Sequence, residues 1–133
     1  MTSIIHALKL FIAVAIPLII MDAIWLTTMS KFYAKHFGSL MADHPVWIAA
    51  IIFYIIYIIG IVVFVVSPAL SLSLPWYSVL LRGALFGIVA YATYDLTNQA
   101  TLAGWSPLVT VIDLAWGACL TGVGSVVAYL FLK

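Results

Sequence analysis

The sequence predicts an all-α membrane protein, a bundle of four transmembrane helices that forms a single domain over residues 1–133. Three observations carry that expectation. Hydrophobic residues make up 67% of the 133 residues and charged residues only 7%, with a mean hydropathy of +1.29. A soluble domain carries roughly 45–50% apolar and 25% charged residues, and no soluble fold of this length could hide the excess. The apolar residues also fall into four runs of about the 20 residues a helix needs to cross a bilayer. A formal charge of +1 with no cluster of Lys and Arg gives no footing for a nucleic-acid partner.

The first run covers residues 8–29, with Lys9 at its start. Pro17 lies mid-span, where neighbouring helices can satisfy the freed carbonyl, so a kink is expected there. A cleaved signal peptide does not fit, because the run exceeds an h-region and contains Asp22 and Trp25. Residues 30–45 form the one sizeable polar connection. Phe32, Tyr33, Phe37, Leu40 and Met41 within it read as a short amphipathic piece lying on the membrane.

The second run, residues 46–66, carries no charge and starts beside an interfacial Trp47. Tyr54 and Tyr57 lie deeper, where their hydroxyls need partners, and Ser67-Pro68 is expected to end the helix. The third run spans residues 78–98 and the fourth 107–132, with Trp105 at the water boundary between them. Four spans place both termini on one side. That side carries Lys9, Arg82, Lys133 and the amino terminus against Lys31 and Lys35 opposite, so the positive-inside rule puts the termini in the cytoplasm. Cys119, the single cysteine, lies among Ala118, Leu120 and Thr121 and reads as a packing residue without a disulfide partner.

Polar residues in this chain are few, and their placement is informative. A carboxylate inside a span costs about 2.5–3.5 kcal/mol on insertion scales, so it needs hydrogen bonds, neutralisation or a purpose. Asp22 precedes the first exit, Asp95 the third, and Asp113 follows the fourth start, all on one membrane face. Their expected depths agree within roughly 6 Å at 1.5 Å per residue. Tyr91, Asp95 and Asn98 fall at i, i+4 and i+7 on one helix face, and Tyr94 and Asn98 on an overlapping stripe. Thr97 adds a hydroxyl to the same stretch. Asp22-x-x-Trp25 and Asp113-x-x-Trp116 each set an indole one turn from a carboxylate, in opposite directions. No basic side chain lies at this depth, so at least one of the three acids is expected to hold its proton.

Other faces read as helix packing. Gly83-x-x-x-Gly87 matches the close-approach pattern, and Gly117, Thr121, Gly124 and Ala128 form a small-residue stripe.

These residues resemble the bacterial family of predicted membrane proteins designated domain of unknown function 2177. The likeness runs through Asp22-x-x-Trp25-Leu26, Phe53-Tyr54-x-x-Tyr57-x-x-Gly60, Pro68-Ala69 and Arg82-Gly-Ala-Leu-Phe-Gly87. It continues through Tyr91-Ala-Thr-Tyr-Asp-Leu-Thr-Asn98, Ala100-Thr101-Leu102, Trp105 and Asp113-x-x-Trp116-Gly117. The resemblance implies a four-helix bacterial inner-membrane protein and brings no reaction with it.

Four functions stay open at this point. The polar cluster could bind or translocate a proton, a cation or a small polar molecule, with Asp22, Asp95 and Asp113 supplying charge and a homo-oligomer completing a conduit. It could instead staple the helices, since interhelical hydrogen bonds contribute about 0.6 kcal/mol on average. A lipid headgroup or a partner could sit against the Trp-lined cluster. An intramembrane enzyme could use a carboxyl pair as acid and base. No Ser-His-Asp set, HExxH, CxxC or glycine-rich phosphate loop appears, so no catalytic residue, cofactor or metal site is expected. His36 and His44 fit a wet loop better than a metal site with the acids, and His6 lies on the opposite face.

Overall fold

The computed structural model describes residues 2–133; Met1, whose amino group counts in the orientation argument, lies outside the described residues. Four helices follow one another: α1 over Thr2–Phe37, α2 over Trp47–Ser71, α3 over Trp76–Thr101 and α4 over Pro107–Leu132. All four are long and apolar enough to cross a membrane, and no strand occurs among the described residues. The chain is an all-α, four-helix membrane protein.

Local chemistry sets the helix ends. Gly38 has φ +54°, a left-handed conformation that glycine adopts freely, and it turns α1 into a short 3-10 segment at Gly38–Leu40. Pro75 precedes α3 in an extended conformation, and Pro107 opens α4 at the first helical position, where its missing N–H costs nothing. Gly104, at φ +79°, turns the five-residue connection between α3 and α4.

Two expectations need correction. Residues 30–37 are not a separate amphipathic piece; they continue α1 for two more turns beyond the expected exit. Ser30, Lys31, Lys35 and His36 are ordinary helix residues, and nothing between Ser30 and Gly38 breaks the backbone ladder. At 36 residues α1 is about 54 Å long, well beyond a hydrocarbon core of roughly 30 Å. Nor does Ser67-Pro68 end α2. Val62–Val66 forms a π-helical turn in which the Ser67 N–H donates to the Val62 carbonyl. This wider turn shifts the register just ahead of the proline, which has no N–H to give, and the helix runs on to Ser71.

The core is centred on α4, which packs against both α1 and α3. α1 contributes Leu10, Val14, Leu18 and Asp22, every fourth residue on one stripe. α3 meets α4 at backbone distance. A Cβ on Gly83 would lie 2.8 Å from the Thr121 carbonyl oxygen, and one on Gly87 would overlap the Gly117 carbonyl. Lipid supplies no hydrophobic drive between helices, so small residues are how these backbones meet. Gly117 is equally committed, since a Cβ there would run into the Tyr91 ring at 2.5 Å. Gly124, assigned to the same stripe, instead faces α1, with Leu18 at an ordinary 3.6 Å, and has room for a methyl group.

α2 is docked through its second half only. Tyr57, Ile58, Ile61, Val65, Val66 and Ala69 are buried, whereas the turn from Trp47 to Phe53 is almost wholly exposed. Cys119, expected inside, faces outward: it lies between Gly117 and Thr121 on the far side of the α4 helix from its buried stripe. A thiol is apolar enough to face lipid, so nothing draws it inward.

Candidate functional site

The splay of α2 leaves a cavity of about 760 Å³ at the loop end of the bundle. Its walls come from the second half of α1, the first half of α2, and the facing parts of α3 and α4. They include Trp25, Trp116, Tyr33, Tyr54, Tyr91 and Phe53, so aromatic rings dominate. Asp22 and Asp113 stand among them, and among the described residues no Lys, Arg or His lines the cavity.

The two Asp-x-x-Trp motifs build the polar end. α1 and α4 run antiparallel, so each motif's indole lies level with the other's acid. The indoles of Trp25 and Trp116 stack with centroids 4.4 Å apart and planes inclined by only 5°. Trp116 Nε1 donates to Asp22 Oδ1 at 3.0 Å, and the Tyr54 hydroxyl donates to Asp22 Oδ2. On the other side Trp25 Nε1 donates to the Tyr33 oxygen at 3.1 Å, and the Tyr33 hydroxyl donates to Asp113 Oδ1. The arrangement is close to reciprocal: one indole reaches its acid directly, the other through a tyrosine. Asp22 accepts a hydrogen bond at each oxygen. Asp22 and Asp113 are 7% and 8% exposed.

Asp95 occupies a different environment. Gly87 facing Gly117 and Gly83 facing Thr121 fix the antiparallel register of α3 and α4, which sets Tyr91 opposite Asp113 and Asp95 opposite Val109. Helical side chains tilt toward their own N-terminus, so Asp95 leans deeper while Asp113 leans toward the surface. The two carboxyls therefore lean toward one level between the facing helices. Asp95 is 0% exposed, and neither of its oxygens faces a donor group.

The sequence-derived residues thus divide. Asp22, Trp25, Tyr91, Tyr94, Asp113 and Trp116 line the cavity, and Asp95 stands behind it, leaning toward Asp113. Tyr94 lies at the rim, 57% exposed, with its ring edge-on to Trp105 at 5.8 Å. Thr97 is exposed, and its hydroxyl bonds the Thr93 carbonyl and, at 3.0 Å, the Tyr94 carbonyl of its own helix, so it belongs to no shared site. Asn98 is half-buried and does not line this cavity. Asp22 and Asp113 have separate partners, Asp22 the Tyr54 hydroxyl and the Trp116 N–H, Asp113 the Tyr33 hydroxyl. Among the described residues no three His, Cys, Asp or Glu side chains could hold a metal ion. His36 sits over the Phe32 carbonyl at 2.8 Å instead.

Tyr33 and Tyr54 are the residues that sequence reasoning did not assign to the site. A signal for Tyr33 exists: Asp22, Trp25, Met29 and Tyr33 follow i, i+3, i+7 and i+11, one stripe if α1 continues. Tyr54 lies one turn before the buried Tyr57, whose hydroxyl meets Thr121 Oγ1 at 2.6 Å.

Fold and cavity together define an integral membrane protein with an acid-bearing, aromatic-walled cavity inside a four-helix bundle. Residues 7–130 match the family described as predicted membrane protein, DUF2177, and the chain belongs to that family. No curated protein and no solved structure matches it.

Proposed function

We propose that the protein is a binding protein of the membrane interior, holding a small guest with an apolar body and a positively charged end. One observation carries this reading: two carboxyl groups face an aromatic cavity that has no basic residue on its walls. Carboxylates in a medium of low dielectric attract a counter-charge strongly, and aromatic rings favour organic cations over hydrated metal ions. A cavity of about 760 Å³ accommodates such a guest, and the exposed first half of α2 leaves it a way in from the lipid. The Ser30 hydroxyl on the wall is spent on the Thr27 carbonyl rather than on a carboxylate, so binding or passage suits the site better than catalysis. A bacterial inner membrane with cytoplasmic termini fits the Lys9, Arg82 and Lys133 side, which would put the cavity in the outer leaflet.

The rival reading, a polar staple, draws on the bonds from Tyr54 and Trp116 to Asp22 and from Tyr33 to Asp113, each of which joins two helices. Calorimetric titration of the solubilised protein with phenyltrimethylammonium and its neutral isostere tert-butylbenzene separates the two. The binding reading expects saturable uptake of the cation, at least tenfold weaker for the isostere and for Asp22→Asn. Equal affinity for both compounds, or none for either, would leave only the staple.

A further inference from the structure

We propose that Asp95 and Asp113 share one proton, and that a cation entering the cavity displaces it, so that the site exchanges one cation for one proton. The exchange rests on the cation-binding reading above; the shared proton does not. Asp95 is completely buried, with both oxygens lacking a donor, and the register of α3 against α4 brings the Asp113 carboxyl toward it. Two ionised carboxylates held side by side in a low-dielectric interior repel, whereas a proton on Asp95 donated to Asp113 turns that repulsion into a hydrogen bond. The same proton satisfies the orphaned group, whose desolvation would otherwise go uncompensated.

The surroundings supply no alternative. From α1 the Tyr33 hydroxyl faces Asp113, and Asp22 has its own two donors. From α3 the nearby titratable groups are Tyr91 and Tyr94. α2 brings Tyr54, which is committed to Asp22. Asp113 is the member that touches both compartments: one oxygen accepts from Tyr33 at the cavity wall, and the carboxyl leans toward Asp95 behind it. A positive charge in the cavity therefore acts on Asp113, the carboxyl that accepts the shared proton. The charges balance, because the guest brings one positive charge and the pair, going from one proton to none, releases one.

The sign follows from linkage: if binding expels a proton, affinity rises with pH until the empty site has lost the proton by itself, by roughly tenfold per unit. Infrared spectroscopy of the empty, solubilised full chain tests the proton, since only four acidic residues can give a protonated-carboxyl band. The wild type should show that band at neutral pH, and Asp95→Asn, whose amide still donates to Asp113, should lack it. Where Asp95→Asn fails to fold, loss of the band in Asp113→Asn serves the same end. Titration with phenyltrimethylammonium in weak buffer should release one proton per cation from the wild type and none from Asp95→Asn, whose affinity should be flat with pH. Absence of the band with binding intact would overturn the shared proton. A band present but no binding would overturn the exchange together with the cation reading. Binding without proton release would overturn the exchange alone.

Discussion

The two ends of this bundle are made from the same four helices and behave as different materials. At the end bearing the termini, Gly83 and Gly87 bring α3 onto α4, Leu10, Val14 and Leu18 close α1 against the core, and the second half of α2 seals the remaining side. At the loop end bulky residues replace small ones: Trp25, Trp116, Tyr33, Tyr54 and Tyr91 hold the helices apart, and α2 departs with Trp47 68% exposed. In lipid, helices adhere only as far as their surfaces fit. The contrast teaches that the closed end holds the fold, which leaves the open end free to carry buried acids at a cost in stability.

The largest expected effect breaks the closed end. Gly87→Val drives a branched side chain into the Gly117 carbonyl and should destabilise by about 3 kcal/mol or more. Gly124→Ala, in the same stripe but with Leu18 at an ordinary contact distance of 3.6 Å, should stay within about 0.5 kcal/mol. Denaturant unfolding in mixed micelles measures both, and equal effects would erase the distinction between tight and loose glycines.

A smaller effect is expected at the open end. Asp22→Leu leaves the Tyr54 hydroxyl and the Trp116 N–H without their acceptor, at about 0.6 kcal/mol for each lost interhelical bond. Asp22→Asn keeps one acceptor oxygen and should lose only about 0.6 kcal/mol in the same assay, while abolishing tight cation binding. A loss for Asp22→Asn as large as that for Gly87→Val would move the acid from the guest's account to the fold's.

The smallest effect tests the outer surface. Cys119 faces away from the core, so Cys119→Ala should change stability by less than about 0.5 kcal/mol. Its thiol should react readily with a lipid-soluble maleimide and slowly with a membrane-impermeant one. Rapid labelling by the impermeant reagent would place water where the account places lipid.

Much of this was legible in the residues. Apolar runs announce four spans, and opposed Asp-x-x-Trp motifs announce antiparallel helices whose indoles and acids alternate. Gly83 and Gly87 name the tight interface. What escaped has physical causes. Lys31, Lys35 and His36 look like a loop because their charges belong in water, yet an α-helix long enough to leave the membrane satisfies them equally well. That hid Tyr33 from the site. Pro68 reads as a terminator unless a π-turn takes up the register before it, which no composition signal marks. Asp95 lay on the expected face, but its level against Asp113 depends on the register of α3 against α4, fixed by glycine contacts that only the three-dimensional structure displays.

Locating a guest by diffraction decides whether the open end is a cation site. Phenyltrimethylarsonium is the arsenic counterpart of the proposed probe, and its anomalous scattering reports position without interpretation of density shape. Crystals of the wild type grown with it should show one arsenic peak inside the cavity, beside the Trp25–Trp116 pair and within reach of Asp22 or Asp113, and Asp22→Asn crystals a weakened one. Arsenic peaks only along the lipid-facing surface, with the cavity empty, would contradict the account.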